Sequence, residues 1–222
     1  MIYRMKHGVF VSGTDTGVGK TQVACLLVRV LRLSGVDAVG MKPFCCGDRL
    51  DAERLDAANE GSVPMGLVNP VWLRVPASPY TASLVENRGV DVSLAREAYE
   101  TLRAAHEVVV VEGVGGWAVP LTQSVWMNDL VVEWGLPVGV VAANRLGALN
   151  HTRLTVDAVR AAGVPLRGIL WNEVHPVQGD PAQLTNRAVW EQLMPGLECW
   201  GLEHGAEALD LRMARVWGGL EG

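Results

Sequence analysis

No apolar run in this 222-residue chain approaches the roughly 20 residues that a bilayer-spanning helix needs, so nothing in the sequence points into a membrane. An excess of positive charge is also missing. Nineteen Lys and Arg against 24 Asp and Glu leave a net charge of -5, which gives no electrostatic reason to expect nucleic acid or an anionic membrane surface as partner. Cysteine is scarce and unpaired in spacing: Cys25, Cys45, Cys46 and Cys199 form no zinc motif and no Cys-x-x-Cys redox pair. Adjacent Cys45 and Cys46 cannot comfortably bridge, so the four are read as free thiols in a reducing compartment. Residues 1–7 carry basic side chains, but no signal-peptide pattern follows them, and the expected location is cytoplasmic. No repeat, low-complexity tract or linker divides the chain, so a single domain over residues 1–222 is expected. With 49% apolar and 19% charged residues, such a domain can bury a substantial core.

What is present is organised around Gly13-Thr14-Asp15-Thr16-Gly17-Val18-Gly19-Lys20-Thr21. A short apolar run, Gly8-Val9-Phe10-Val11-Ser12, precedes it, and a helical pattern beginning Gln22-Val23-Ala24 follows. Strand, glycine-rich turn, Gly-Lys-Thr and helix describe a phosphate-binding loop, here with five residues rather than four between Gly13 and Gly19. Glycines let backbone N–H groups close on phosphate oxygens, and the helix N-terminus adds partial positive charge. Lys20 supplies a point charge for the β- and γ-phosphates, and the Thr21 hydroxyl suits Mg²⁺. The expected ligand is a nucleoside triphosphate.

Further along, the first helix is expected to stop at Ser34-Gly35, and residues 36–41 read as a second strand ending in Lys42-Pro43-Phe44-Cys45-Cys46-Gly47. A charged segment over residues 48–56 has leucines and alanines at helical spacing. Residues 61–81 hold Pro64, Pro70, Pro76 and Pro79 and read as an extended excursion without regular elements. A helix over residues 93–105 leads into the strand Glu107-Val108-Val109-Val110-Val111, whose four successive valines mean burial on both faces. Another strand over 137–142 precedes Asn144-Arg145-Leu146-Gly147-Ala148-Leu149-Asn150, then a helix over 152–162, a strand over 166–171 and Asn172. The tail from Pro181 holds at least one helix, with a second over residues 209–216. Alternating strands and helices specify an α/β fold: a doubly wound, mostly parallel sheet with helices on both faces, of the phosphate-loop NTPase type. Ligands then bind beyond the carboxyl ends of the strands, where residues 12–21, 42–47, 112–117, 144–150 and Asn172 are expected to share one crevice.

A triphosphate site needs carboxylates or hydroxyls for Mg²⁺. Glu112, at the tip of the valine strand, is the best candidate, whereas helical geometry alone does not choose among Asp48, Asp51, Glu53 and Asp56. Lys42 lies just past the second strand, beside the phosphate loop, where a second cation stabilises charge on a transferring phosphoryl group or a carboxylated substrate.

Gly-Thr-Asp-Thr-Gly-Val-Gly-Lys-Thr, then Lys42-Pro43 with Gly47, then Val111-Glu112-Gly113 with Gly115-Gly116-Trp117, resembles the dethiobiotin synthetase family in order and spacing over about residues 8–175. Leu146-Gly147-Ala148-Leu149-Asn150-His151 looks like that family's Leu-Gly-x-Ile-Asn-His, and Trp171-Asn172-Glu173-Val174 like its Asn-(Asp/Glu)-Val. The resemblance implies a homodimeric, ATP- and Mg²⁺-dependent ligase of biotin synthesis that joins CO₂ to 7,8-diaminononanoate. By that resemblance the backbone from Gly13 through Thr21 (Gly13, Thr14, Asp15, Thr16, Gly17, Val18, Gly19, Lys20, Thr21) cradles the nucleotide, with Thr16 and Lys20 on the phosphates. Thr21, Asp51 and Glu112 hold Mg²⁺, and Asn172 reads adenine. Lys42 contacts substrate carbamate and γ-phosphate, with Cys46 beside it. Gly147, Ala148, Leu149 and Asn150 hold the substrate carboxylate across the dimer interface. Three departures stand out: Cys46 where the family has serine, Tyr80 where it often has histidine, and no Gly-x-(Ile/Leu)-Pro near residue 200. Three other readings stay open: a nucleotide-switch ATPase of the partitioning type, an amidoligase similar to cobyrinate diamide synthases, and a degenerate nucleotide-binding homologue. The first lacks its second loop lysine here, since Asp15 and Thr16 occupy those positions, and 222 residues leave no room for the glutaminase domain of the second.

Overall fold

The computed structural model describes residues 7–220; the N-terminal residues 1–6, on which the expectation of no leader rests, lie outside the described residues. The chain runs β1 (His7–Gly13), α1 (Lys20–Leu33), β2 (Ala38–Met41), β3 (Phe44–Cys46), α2 (Leu50–Ala58), α3 (Met65–Val68), β4 (Val71–Leu73), α4 (Pro79–Val85) and α5 (Val92–Ala105). It continues through β5 (Val108–Glu112), α6 (Met127–Trp134), β6 (Val138–Ala143), α7 (Ala148–Ala161), β7 (Leu166–Asn172), α8 (Pro181–Leu193), β8 (Cys199–Leu202) and α9 (Leu211–Gly218).

Six strands form one parallel sheet in the order β2-β5-β1-β6-β7-β8. The valine run explains its centre. Val109 and Val111 face one apolar layer with Phe10, Met41 and Val140, while Val108 and Val110 face the other with Val9, Val11 and Val141. Each such burial contributes about 1.5–3 kcal/mol. Helices α1, α2 and α9 cover the second face, and α5, α6, α7 and α8 the first. A close approach fixes one of these contacts. A Cβ on Gly139 would sit 2.4 Å from the Trp217 ring, so only glycine lets α9 lie flat on β6. At the β2 edge, Asn59 donates from Nδ2 to Gly40 O (2.9 Å) and accepts from Gly40 N (2.7 Å), closing backbone groups that an edge strand otherwise leaves open.

Several expectations need correction. The proline-rich stretch over 61–81 is not an irregular excursion: it holds α3, β4 and the start of α4, and β4 pairs in parallel with β3 in a separate two-stranded sheet. Pro79 starts a helix instead of breaking one, because Ser78 caps it through Thr81 N (3.3 Å) and proline at the first turn has no N–H to lose. Helix α7 begins at Ala148, four residues before the expected Thr152, entered through Gly147 in the left-handed region (φ 85°). Helix α6 and strand β8 are additional to the elements that the sequence pattern predicts. Among the described residues, no helix is long and apolar enough to cross a membrane.

Candidate active site

The phosphate loop joins β1 to α1 at the carboxyl end of the sheet, and a cavity of about 870 Å³ opens in front of it. Asp15, Thr16, Gly17, Gly19, Lys20 and Thr21 line one wall, and Lys42, Cys46, Asp51 and Glu112 another. Strand order accounts for the convergence. β5 lies between β1 and β2, so Glu112 and Lys42 leave neighbouring strands beside the loop.

Gly19 shows why the loop needs glycine. Its φ is 92°, and a Cβ there would lie 2.1 Å from Asn172 Nδ2. Asn172 Nδ2 instead donates to Val18 O (3.0 Å), so this buried side chain braces the loop from behind. Lys20 Nζ donates to Asp15 O (2.9 Å), and Asp15 Oδ1 accepts from Thr16 N (2.7 Å). The Thr16 amide and the Lys20 ammonium thus both find partners on Asp15. Burial first, and then the charge of Lys42, lower the Lys20 ammonium to about 8.

Lys42 is 3% exposed and Glu112 is not exposed at all. Lys42 Nζ lies 2.5 Å from Glu112 Oε1 and 3.1 Å from Asp51 Oδ2, and it also donates to Gly113 O (3.2 Å). Thr21 Oγ1 donates to the same Glu112 Oε1 (2.7 Å). Burial opposes the Lys42 charge, but Glu112 and then Asp51 outweigh it and hold the ammonium above its ordinary value. Burial raises Glu112, with Lys42 opposing. Burial also works against Asp51, but the charge of Lys42 and the hydrogen bond from it hold Asp51 below the usual carboxylate range. The backbone of Lys42 is fixed too: its N–H donates to Val68 O (2.7 Å) and its carbonyl accepts from Asn69 Nδ2 (2.8 Å). The β3–β4 pair places Cys46 opposite Leu73, and burial pushes its thiol up to about 11.

Gly13, Thr14 and Val18 belong to the loop without lining the cavity. The expectation of one crevice for all five strand ends is not met: neither Asn172 nor residues 144–150 line it. The latter segment touches the loop through Arg145 Nη2, 3.3 Å from Asp15 Oδ2. Gly147 precedes α7, no side chain caps that helix, Asn150 is exposed in its first turn and Leu146 is 85% exposed. Pro76, Ala77 and Ser78 also line the cavity, beyond the residues that the sequence points to. The signal was available, because Ser78-Pro79 is a helix-start pair that anchors this segment.

Parallel sheet, glycine loop leading into a helix, and a lysine-carboxylate-hydroxyl cluster at its mouth define a phosphate-loop nucleotide-binding α/β protein. Solved structures agree on the fold. A ParA family ATPase from Chlorobium tepidum superposes with a TM-score of 0.52 at 11% identity, over 98% of this chain and 90% of that one. The cell division protein FtsY from Thermotoga maritima does so with 0.55 at 16% identity, over 99% and 70%. A family model described as an AAA domain matches residues 7–193. Among curated proteins, the ATP-dependent dethiobiotin synthetase BioD of Akkermansia muciniphila is 43% identical over 90% of this chain and 94% of its own length. Those of Anaeromyxobacter dehalogenans (strain 2CP-C; 47%, over 82% of this chain and 83% of that one) and Xanthomonas oryzae pv. oryzae (40%, over 93% and 97%) are similar over most of both chains. The chain belongs to the AAA-domain family and, within it, to the ATP-dependent dethiobiotin synthetases.

Proposed function

We propose that this chain, working as one domain, is an ATP-dependent dethiobiotin synthase that joins 7,8-diaminononanoate and CO₂ and closes the ureido ring at the expense of ATP. The observation that carries the reading is the placement of Lys42, buried and charged, next to Thr21 and facing the cavity that the phosphate loop lines. One amine of the substrate takes up CO₂ and loses a proton, giving a carbamate. The carbamate oxygen attacks the γ-phosphorus, ADP leaves, and a carbamic–phosphoric anhydride results. The neighbouring amine then attacks the carbonyl carbon, phosphate departs and a second proton is lost as the cyclic urea closes. No side-chain nucleophile is needed, so the protein's work is to position the reactants and neutralise charge. Lys42 suits the anionic oxygens of carbamate and γ-phosphate, Thr16 and Lys20 the triphosphate, and Cys46 the diamine end. Asn172 serves the adenine side of the loop.

Mg²⁺ fits the residues present. Glu112 Oε2 is buried without a hydrogen-bond partner, and Asp51 and Thr21 supply further oxygens beside it. Among the described residues no three His, Cys, Asp or Glu side chains converge on a metal. Thr21, Asp51 and Glu112 would hold the ion, whose chemistry there is neutralisation of phosphate charge. Because Gly147, Ala148, Leu149 and Asn150 lie outside the cavity, with Gly147 and Asn150 exposed beside Leu146, we assign them to the substrate carboxylate of a second copy, in a homodimer. A cytoplasmic location accords with free thiols and small-molecule substrates. The test is ADP release from Mg-ATP and bicarbonate. It should require 7,8-diaminononanoate, whereas equal release without the diamine would favour a nucleotide-switch ATPase.

A further inference from the structure

The first turn of α7 carries no side-chain cap, yet its position is fixed from behind by a buried polar chain. Asn186 on α8 is 4% exposed and spends its amide on two acceptors: Nδ2 donates to Asn144 Oδ1 (3.0 Å) and to Arg145 O (3.0 Å). Arg145 O is also the carbonyl that closes the turn into the helix, through Ala148 N (3.1 Å). Asn144 in turn donates from Nδ2 to Gln183 O (2.8 Å) and from its backbone N–H to Asn172 O (2.8 Å). Asn172 completes the chain to the phosphate loop at Val18 O. One turn beyond Asn186, Trp190 packs edge-on to Trp171 of β7, their centroids 6.0 Å apart, so α8 holds its asparagine in place by apolar contact. Buried amides of this kind stay only when their partners are present, and a fully satisfied network specifies one geometry.

We propose that Asn186, acting through Asn144 and the Arg145 carbonyl, is a positioning residue for the diamine substrate. It sets the turn that presents Gly147 to Asn150 to the substrate carboxylate, in register with the nucleotide loop. This rests on the assignment of those four residues made above. Asn186 touches neither substrate nor nucleotide, so its removal loosens one end of one substrate. A displacement of about 1 Å far from the reacting atoms is enough to cost a hundredfold.

The test compares wild type and Asn186→Ala on two diamines: 7,8-diaminononanoate, and 2,3-diaminononane, which keeps the vicinal amines and carries a methyl where the acid has its carboxylate. Wild type should prefer the acid. Asn186→Ala should raise the KM for the acid about tenfold or more, keep kcat within about threefold, and leave kcat/KM for 2,3-diaminononane within about twofold. Asn186→Ser, with one donor in place of two, should lie between, and carries the same comparison if the alanine variant does not fold. Unchanged affinity for Mg-ADP certifies a folded loop. Equal losses on both diamines, or no change in KM, overturn the positioning role. A wild type that does not distinguish the diamines overturns the carboxylate assignment itself, and this proposal with it.

Discussion

Replacing Lys42 with alanine leaves Glu112, with no exposed surface, beside Thr21 without its cation, and removes the ammonium that Asp51 faces. Breaking a buried pair by deleting one partner costs about 3–5 kcal/mol, chiefly for stranding the other charge. In a domain of this size that is a fall in Tm of roughly 6–20 °C. The pH window follows from the sign of the shift. The folded-state value of Lys42 is raised above the ordinary lysine value of 10.5, so its contribution is fully present below that value and is lost only as pH rises through the folded one. The whole difference between wild type and variant is therefore visible at pH 7–8. Lowering the pH should narrow it, because an unpaired Glu112 escapes its penalty by binding a proton. The double variant Lys42→Ala/Glu112→Gln should recover much of the lost Tm and none of the activity. Turnover should drop by at least about 10²-fold in both, the scale of a lost electrostatic contact to a developing anion, while Mg-ADP still binds the single variant. Thermal melts of the four proteins of the cycle, with calorimetric ADP titrations, make the assay. A Lys42→Ala protein melting within 2 °C of wild type, or a double variant no more stable than the single, would refute the reasoning.

Gly19→Ala places a methyl 2.1 Å from Asn172 Nδ2 in a left-handed backbone position, and nucleotide affinity by titration should fall at least about 100-fold. Cys46→Ser should fold as wild type and keep the KM for the diamine, and a large rise in KM would make the thiol an adapted contact. With its pKa raised to about 11, the Cys46 thiol is almost wholly protonated at pH 8, so iodoacetamide should label it far more slowly than free cysteine and faster as pH rises. Leu154, 63% exposed and one turn beyond Asn150 on α7, should lie at the contact between copies; Leu154→Glu should shift sedimentation from dimer to monomer and lower activity with it.

The parts of the fold that repeat a local rule were legible in advance. Four successive valines told of a strand covered on both faces, and the loop from Gly13 to Thr21 declared itself because phosphate binding demands backbone freedom, a cation and a hydroxyl in fixed order. Glu112 and Lys42 were legible as strand ends, though their direct contact required knowing that β2 and β5 are neighbours. Helical spacing could not tell Asp51 from Asp48, Glu53 and Asp56, because a charged helical face gives no sign of which residue turns inward; only the family resemblance singled it out. Prolines hid β4 and α4, since residues that break a helix interior also begin one. β8, only Cys-Trp-Gly-Leu, is too short to show a period. The link from Asn186 to Asn144 spans 42 positions and has no sequence pattern at all.

The central claim concerns the reaction, and labelled bicarbonate tests it most directly. Purified protein with 7,8-diaminononanoate and Mg-ATP should place the label in dethiobiotin, with one ADP released for each ring closed. Label absent from dethiobiotin while Mg-ATP binds normally would contradict the account and leave a nucleotide-binding homologue that has lost or changed its substrate.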